Sequence, residues 1–159
     1  MATAGKDELE QLFPNLKDTP DFRIASPCDT RYNCIAWAAG SKELWWEPDP
    51  YGYYYWPKEA PRQYTLDAYV SAFAALGYER CDDDLLAPDF EKVAIYALDL
   101  RPTHAARQIA SGMWTSKIGK NVDIEHTLAG LEGSFYGKVA VILRRPRDPS
   151  LLSTDSPTE

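Results

Sequence analysis

A cysteine stands at the predicted start of a short apolar helix, where its thiol could act as a nucleophile. Residues 32–40 include Cys34 and end in Gly40, with Asn33 or Thr30 as the N-terminal cap. The helix macrodipole and the free backbone N–H groups at such a position lower the pKa of a thiol. The same N–H groups could bind the oxyanion of an acyl-transfer intermediate. Cys34 is therefore the candidate nucleophile, and the alternative is a buried, inert cysteine.

The candidate base is a histidine on a later predicted strand. His104 lies in residues 103–109, and a helix start that faces a strand of an antiparallel sheet suits a thiolate–imidazolium pair. The small side chains of Ala105 and Ala106 would let the Cys34 helix approach this strand closely. The alternative for His104 is a structural, hydrogen-bonded histidine at a strand end.

A third side chain normally orients the imidazole of such a pair. If residues 111–112 form a two-residue turn, the hairpin register favours Asn121, whereas a three-residue turn brings Ser116 to the face of the histidine. Asp123, predicted to cap a following helix, could reach the histidine in either case. His126, on the first turn of that helix, is the second candidate base.

Residues 44–57, hereafter the aromatic loop, combine several prolines with many aromatic side chains. The prolines exclude a regular helix, and the aromatic side chains are too many to remain in water. They could fill the core and cover a sheet edge, or they could form a cleft beside Cys34 that holds a peptide or glycan. The candidate substrate-binding residues are Trp45, Trp46 and, on the strand after the histidine, Trp114.

Hydrophobic spacing and capping residues predict the elements that position these side chains. Thr65 begins an amphipathic helix that ends at Gly77, and a short polar helix is expected at residues 7–12. The predicted strands are residues 78–81, 92–98, 103–109, 113–118 and 138–143. We expect an α+β fold in which N-terminal helices pack on a mostly antiparallel sheet of about four to five strands. Residues 1–145 form its single domain, and residues 146–159 form a disordered tail.

Composition excludes several classes of function. A net charge of −7 over 159 residues disfavours nucleic acid and anionic membranes as partners. Neither a secretory signal nor a membrane span of about 18 apolar residues is evident, so we expect a cytoplasmic protein. The spacing of the three cysteines and two histidines matches no zinc motif, and we expect neither metal nor cofactor.

The order of these elements resembles that of the papain-like and transglutaminase-like cysteine hydrolases. In this chain, as in those hydrolases, a cysteine opens a helix, and a histidine lies on a strand that leads into Gly-x-Trp on the next strand. Two segments, KVAIY and THA, are similar to strands of bacterial cell-wall cysteine peptidases of that superfamily. In that alignment Lys92 occupies the position of the catalytic base, and His104 occupies an accessory position.

A closer resemblance, from Phe13 to Arg145, is to a bacterial family known only as a domain of unknown function. The segments that carry it are RYNCIAWAAG, PTHAARQ, WTSK and IEH. This resemblance implies no particular activity.

Two functions follow from these patterns. The first is a cysteine hydrolase or acyl transferase that acts on a peptide amide or thioester through Cys34 and His104. The second is a non-catalytic module that binds a peptide or protein partner with the aromatic loop.

Overall fold

The computed structural model describes residues 5–19, 22–26, 31–118 and 122–147. These residues form three α-helices, namely α1 (Lys6–Leu12), α2 (Cys34–Ala38) and α3 (Leu66–Ala74). They also form seven strands, which are β1 (Arg23–Ser26), β2 (Glu79–Cys81), β3 (Phe90–Leu98), β4 (Arg101–Gln108), β5 (Trp114–Lys117), β6 (Asp123–His126) and β7 (Lys138–Pro146). None of these helices is long and apolar enough to cross a membrane.

The described strands form one antiparallel sheet in the order β1-β6-β5-β4-β3-β7-β2. The predicted papain-like arrangement, with N-terminal helices on four to five strands, is therefore wrong. One reason is that the helix expected after Asp123 is strand β6. Val122 and Ile124 are fully buried, and Ile124 pairs with β1 on one side and β5 on the other. Pairing between distant segments thus determined the structure of residues 123–126.

The predicted strands and helices elsewhere are confirmed with small shifts of their ends. Thr65 caps α3 by accepting a hydrogen bond from the backbone N–H of Ala68 at 3.1 Å. Phe73 on α3 is fully buried, as the amphipathic pattern predicts. The predicted tail is outside the described residues from position 148 onward.

The sheet has a hydrophobic core on each face. Helices α2 and α3 cover one face, where their side chains share a core with Val93 and Ile95 of β3. On the other face, α1 and the segment after it pack against Ala94 and Tyr96 of the same strand. Successive side chains of a strand point to opposite faces, so the central strands are buried on both sides.

A tight two-residue turn joins β3 to β4, directly before Arg101. Asp99 and Leu100 are its two residues, and their φ angles are 52° and 69°. A two-residue hairpin turn with positive φ at both positions favours Asn-Gly or Asp-Gly. Leu100 is 81% exposed, so its side chain gains little packing in return for this unfavourable backbone conformation.

Replacing Leu100 by glycine is therefore expected to stabilise the protein. We expect Leu100→Gly to raise the free energy of unfolding by about 0.5–1 kcal/mol, measured by urea denaturation. The matched control is Leu98→Gly, two residues earlier in β3, where glycine should lower the free energy of unfolding. Equal destabilisation by both substitutions would contradict the strain assigned to Leu100.

Candidate functional site

Asn33 joins the start of α2 to the aromatic loop. Its side-chain oxygen accepts hydrogen bonds from the backbone N–H of Ala36 at 3.1 Å and of Trp46 at 3.2 Å. Its amide nitrogen donates to the backbone carbonyl of Trp46 at 2.7 Å. The predicted cap is therefore confirmed, and it also ties Cys34, the first residue of α2, to the loop.

Cys34 is half-buried on the α2 face of the sheet. Burial raises the pKa of its thiol to about 11. The backbone N–H of Ala105 and the ammonium group of Lys117 oppose this rise without reversing it. The thiol is therefore protonated at neutral pH, contrary to the expectation from the helix macrodipole.

His104 lies on the opposite face of the sheet from Cys34. Its ring stacks on Tyr136 at a centroid distance of 4.1 Å and meets Tyr96 edge to face at 5.5 Å. Both of these tyrosines belong to the core on the α1 face. The neighbouring Ala105 belongs to the core on the α2 face, so β4 itself separates the thiol from the imidazole.

The imidazole of His104 is fully buried, and neither of its nitrogens has a hydrogen-bond partner among the described residues. Burial, reinforced by the nearby His126, lowers the pKa of His104 well below its ordinary value. His104 is therefore neutral in the folded protein.

His126 makes two hydrogen bonds on the same face as His104. Its Nε2 lies 2.7 Å from the hydroxyl of Ser116, and its Nδ1 lies 2.7 Å from the carbonyl oxygen of Thr127. Burial lowers its pKa to about 4. His126 lies on β6 rather than on the predicted helix. The pairing of Gln108 with Trp114 matches the three-residue turn, the alternative that brings Ser116 to the histidine face.

Asp123 lies on the α2 face as a member of β6, not as a helix cap. It pairs in register with Lys117, and its carboxylate accepts a hydrogen bond from the hydroxyl of Tyr32 at 3.0 Å. The ammonium of Lys117 lies 5.3 Å from the centre of the Tyr32 ring. Asp123 therefore belongs to a buried polar cluster beside α2 and does not orient His104. Asn121 lies outside the described residues.

Lys92 holds an outer loop to the sheet. It is 3% exposed, and its ammonium donates to the carboxylate of Asp83 at 2.8 Å and to the carbonyl of Leu85 at 2.7 Å. The position that the resemblance to cell-wall peptidases assigns to a base is thus occupied by a structural ion pair.

A cleft of about 250 Å³ opens beside Cys34. It is bounded by the start of α2, the aromatic loop, α3 with the segment before it, and the first residues of β4. The lining side chains that matter most are Cys34, Trp46, Glu47, Tyr64, Tyr69 and Arg101. Of these, only Cys34 and Trp46 were predicted. Glu47 lies beside Trp46 in the aromatic loop but carries no aromatic signal, and Tyr64, Tyr69 and Arg101 come from segments that meet the loop only in the folded chain.

Two of the three candidate substrate-binding tryptophans do not line this cleft. Trp114 is buried in the core on the α1 face. Trp45 is half-exposed and donates its indole N–H to Glu47 at 3.1 Å. Trp46, which does line the cleft, is buried, and its indole N–H has no partner among the described residues.

Polar contacts hold the aromatic loop in one conformation. Asp49 is 6% exposed and accepts hydrogen bonds from the backbone N–H groups of Tyr53 at 2.8 Å and Tyr54 at 3.1 Å. The Arg62 side chain donates to the carboxylate and carbonyl of Asp49 and to the carbonyl of Tyr54. Burial alone would raise the pKa of Asp49, but these N–H groups and the guanidinium outweigh it and lower the pKa.

The loop divides its aromatic side chains between core and solvent. Trp46 and Trp56 are buried. Four tyrosines are exposed, with exposed fractions of 78% for Tyr51, 80% for Tyr53, 44% for Tyr54 and 43% for Tyr55. The rings of Tyr51 and Tyr53 lie 5.7 Å apart.

A second cleft, of about 450 Å³, is lined partly by Asp82, Asp83 and Asp84. These aspartates are exposed to water, and Asp83 is already paired with Lys92. Within the described part of the chain, no three His, Cys, Asp or Glu side chains are arranged to hold a metal ion.

The raised pKa of Cys34 predicts slow alkylation. A thiol of pKa about 11 has roughly 100-fold less thiolate at pH 7.5 than one at its ordinary value of 9.0. We expect iodoacetamide to modify Cys34 at least about tenfold more slowly than Cys81, the internal control, as measured by peptide mass spectrometry. Faster modification of Cys34 would contradict the protonated thiol and favour nucleophilic chemistry.

The two buried histidines predict a loss of stability in mild acid. In the unfolded chain each histidine has a pKa of about 6.5, and in the folded protein both values are lower. The unfolded state therefore binds more protons as the pH falls from about 6.5 towards 4, and stability present above pH 6.5 is lost in that window. We expect the free energy of unfolding to fall by about 2 kcal/mol per histidine between pH 7 and pH 5, measured by urea denaturation.

The variant His104→Phe is the control for this measurement. Phenylalanine keeps the ring against Tyr136 and removes two unpartnered nitrogens, so the variant should remain folded and lose about half of the pH dependence. A free energy of unfolding that does not change between pH 7 and pH 5 would show that neither histidine is held neutral.

Comparison with known proteins identifies a family but no activity. The sequence profile of a domain of unknown function, DUF7689, matches residues 23–144, from the start of β1 almost to the end of β7. No curated protein matches the chain. No solved structure matches it either. Since the profile covers well over half of the chain and includes the segments around Cys34, His104 and His126, the protein belongs to the family of the domain of unknown function DUF7689.

Proposed function

We propose that this protein is a non-catalytic module that binds a peptide segment of a partner protein through the aromatic loop. The observation that carries the proposal is the rigid presentation of four exposed tyrosines. Exposed aromatic groups are costly in water, and clusters of them on a soluble protein are typical of interaction sites.

The loop is ordered before any partner binds. Asp49 and Arg62 fix its backbone through the hydrogen bonds described above, and Asn33 anchors it to α2. A preformed loop loses little conformational entropy on binding, and tyrosine offers a large contact area with few rotatable bonds. The hydrogen bonds that hold the loop do not use the hydroxyl groups of its exposed tyrosines. Folding of the loop therefore does not explain why tyrosines lie on its outer side.

Thiol-dependent acyl transfer at Cys34 is the second candidate. The observation in its favour is that the sulfur lies at a cleft, close to the backbone N–H of Ala105 and the ammonium of Lys117, which both lower its pKa. The distance across the sheet to His104 and the net rise in the thiol pKa make it the weaker candidate. The alkylation rate of Cys34 distinguishes the two.

The proposal predicts that peptide binding depends on the exposed tyrosines. We expect the wild-type protein to enrich peptides from a random 12-residue library displayed with free carboxyl termini, and Tyr51→Ser/Tyr53→Ser to bind the same peptides at least about tenfold more weakly. Both side chains are about 80% exposed, so the melting temperature should not change.

The matched control is Leu85→Ser, which removes an apolar side chain that is 68% exposed but lies outside the loop. This variant should bind the selected peptides as the wild type does. The proposal fails if no peptide is enriched, or if the double tyrosine variant binds them with unchanged affinity.

A further inference from the structure

Arg101 brings a positive charge to the cleft beside the aromatic loop. The residue is exposed, and its guanidinium lies over the ring of Tyr64, 5.2 Å from the ring centre. It forms no ion pair with any residue that the structure describes. Stacking on an aromatic ring leaves the N–H edge of a guanidinium available for a bidentate carboxylate.

The acidic side chain of the same cleft, Glu47, already accepts two hydrogen bonds. Glu47 accepts hydrogen bonds from the indole N–H of Trp45 and from the hydroxyl of Tyr64. Burial and the neighbouring Glu47 raise the pKa of Tyr64 to about 12, so its hydroxyl remains a neutral donor. Glu47 thus has two donors of its own and forms no ion pair with Arg101 among the described residues, so the guanidinium is left for a ligand.

The rest of the cleft suits a single apolar side chain. Its walls include Ile35, Trp46 and Tyr69, all buried. A space of about 250 Å³ equals the volume of roughly eight water molecules in the liquid, enough for one side chain with its carboxylate. The indole N–H of Trp46 is an additional donor without a partner among the described residues.

The C-terminal residue of a peptide carries a carboxylate and a side chain on the same carbon atom. An internal aspartate or glutamate supplies the charge but no apolar group beside it. We propose that the cleft binds the C-terminal residue of a peptide, with its carboxylate on Arg101 and its apolar side chain among Ile35, Trp46 and Tyr69. This inference rests on the proposed function, since the rest of the peptide would run along the exposed tyrosines.

The first test uses N-acetylphenylalanine, which mimics a C-terminal residue, and its amide, which lacks the charge. Because Cys34 lines the cleft, a bound ligand should slow its alkylation by iodoacetamide. We expect millimolar N-acetylphenylalanine to protect Cys34 and the amide to protect it at least about tenfold less well. Arg101→Gln should abolish the protection, whereas Arg80→Gln, an exposed arginine on β2, should not. Equal protection by acid and amide, or protection that survives in Arg101→Gln, would overturn the inference.

The second test separates a peptide from a free carboxylic acid. The peptides selected by the wild-type protein are synthesised with a free carboxyl terminus and as amides. We expect the free-acid peptides to bind at least about tenfold more tightly than N-acetylphenylalanine and than the peptide amides. Fluorescence anisotropy measures the peptide affinities, and competition with a labelled peptide measures that of N-acetylphenylalanine. An affinity no better than that of N-acetylphenylalanine would show that the ligand is a free acid.

The same variants test the proposed function of the loop and the proposed carboxylate site independently. In Tyr51→Ser/Tyr53→Ser, peptide affinity should fall while protection by N-acetylphenylalanine remains. Unchanged peptide affinity in this variant would refute the proposed function of the loop but leave the carboxylate site standing. Peptides that bind equally well as acids and amides would refute the carboxylate site but leave the loop as the binding surface.

Discussion

The alternation of side chains along strand β4 is the constraint on which the rest of the site depends. Strand β4 is buried on both faces, so neighbouring residues belong to different cores. Ala105 faces α2 and the thiol, and His104 faces Tyr136 and the α1 side. A displacement of one residue in register would exchange the two faces, but the pairing of β4 with β3 and β5 excludes it.

This alternation divides the polar interior into two groups that do not meet. On the α1 side, the two histidines are neutral and buried among aromatic rings or bonded to Ser116. On the α2 side, the charge of Lys117 acts on the thiol of Cys34, and Asp123 is the strand partner of Lys117. Each group is compatible with a stable core. Burial favours the neutral form of the histidines, and the opposite charges of Lys117 and Asp123 belong to paired residues of neighbouring strands.

Several local features were predictable because they depend on neighbours in the sequence. The caps Asn33 and Thr65, the amphipathic helix α3 and most strands follow from spacing and side-chain hydrogen bonding within a few residues. Strand β6 was not predictable in this way, because its opening Asp123 is also a favourable helix cap and the strand needs β1 and β5 as partners. The prediction of a low pKa for the Cys34 thiol was wrong for a similar reason. Burial by distant segments raises this pKa by more than the local helix terminus lowers it.

Local propensity and composition suffice to predict the helix start at Cys34, the strand around His104 and the aromatic character of residues 44–57. The tertiary structure places Cys34 and His104 on opposite faces, since strand parity depends on pairing with other strands. It also decided which aromatic side chains are exposed and brought Arg101 to the cleft. A charge and an apolar wall from distant segments meet in one cleft only when the chain is folded.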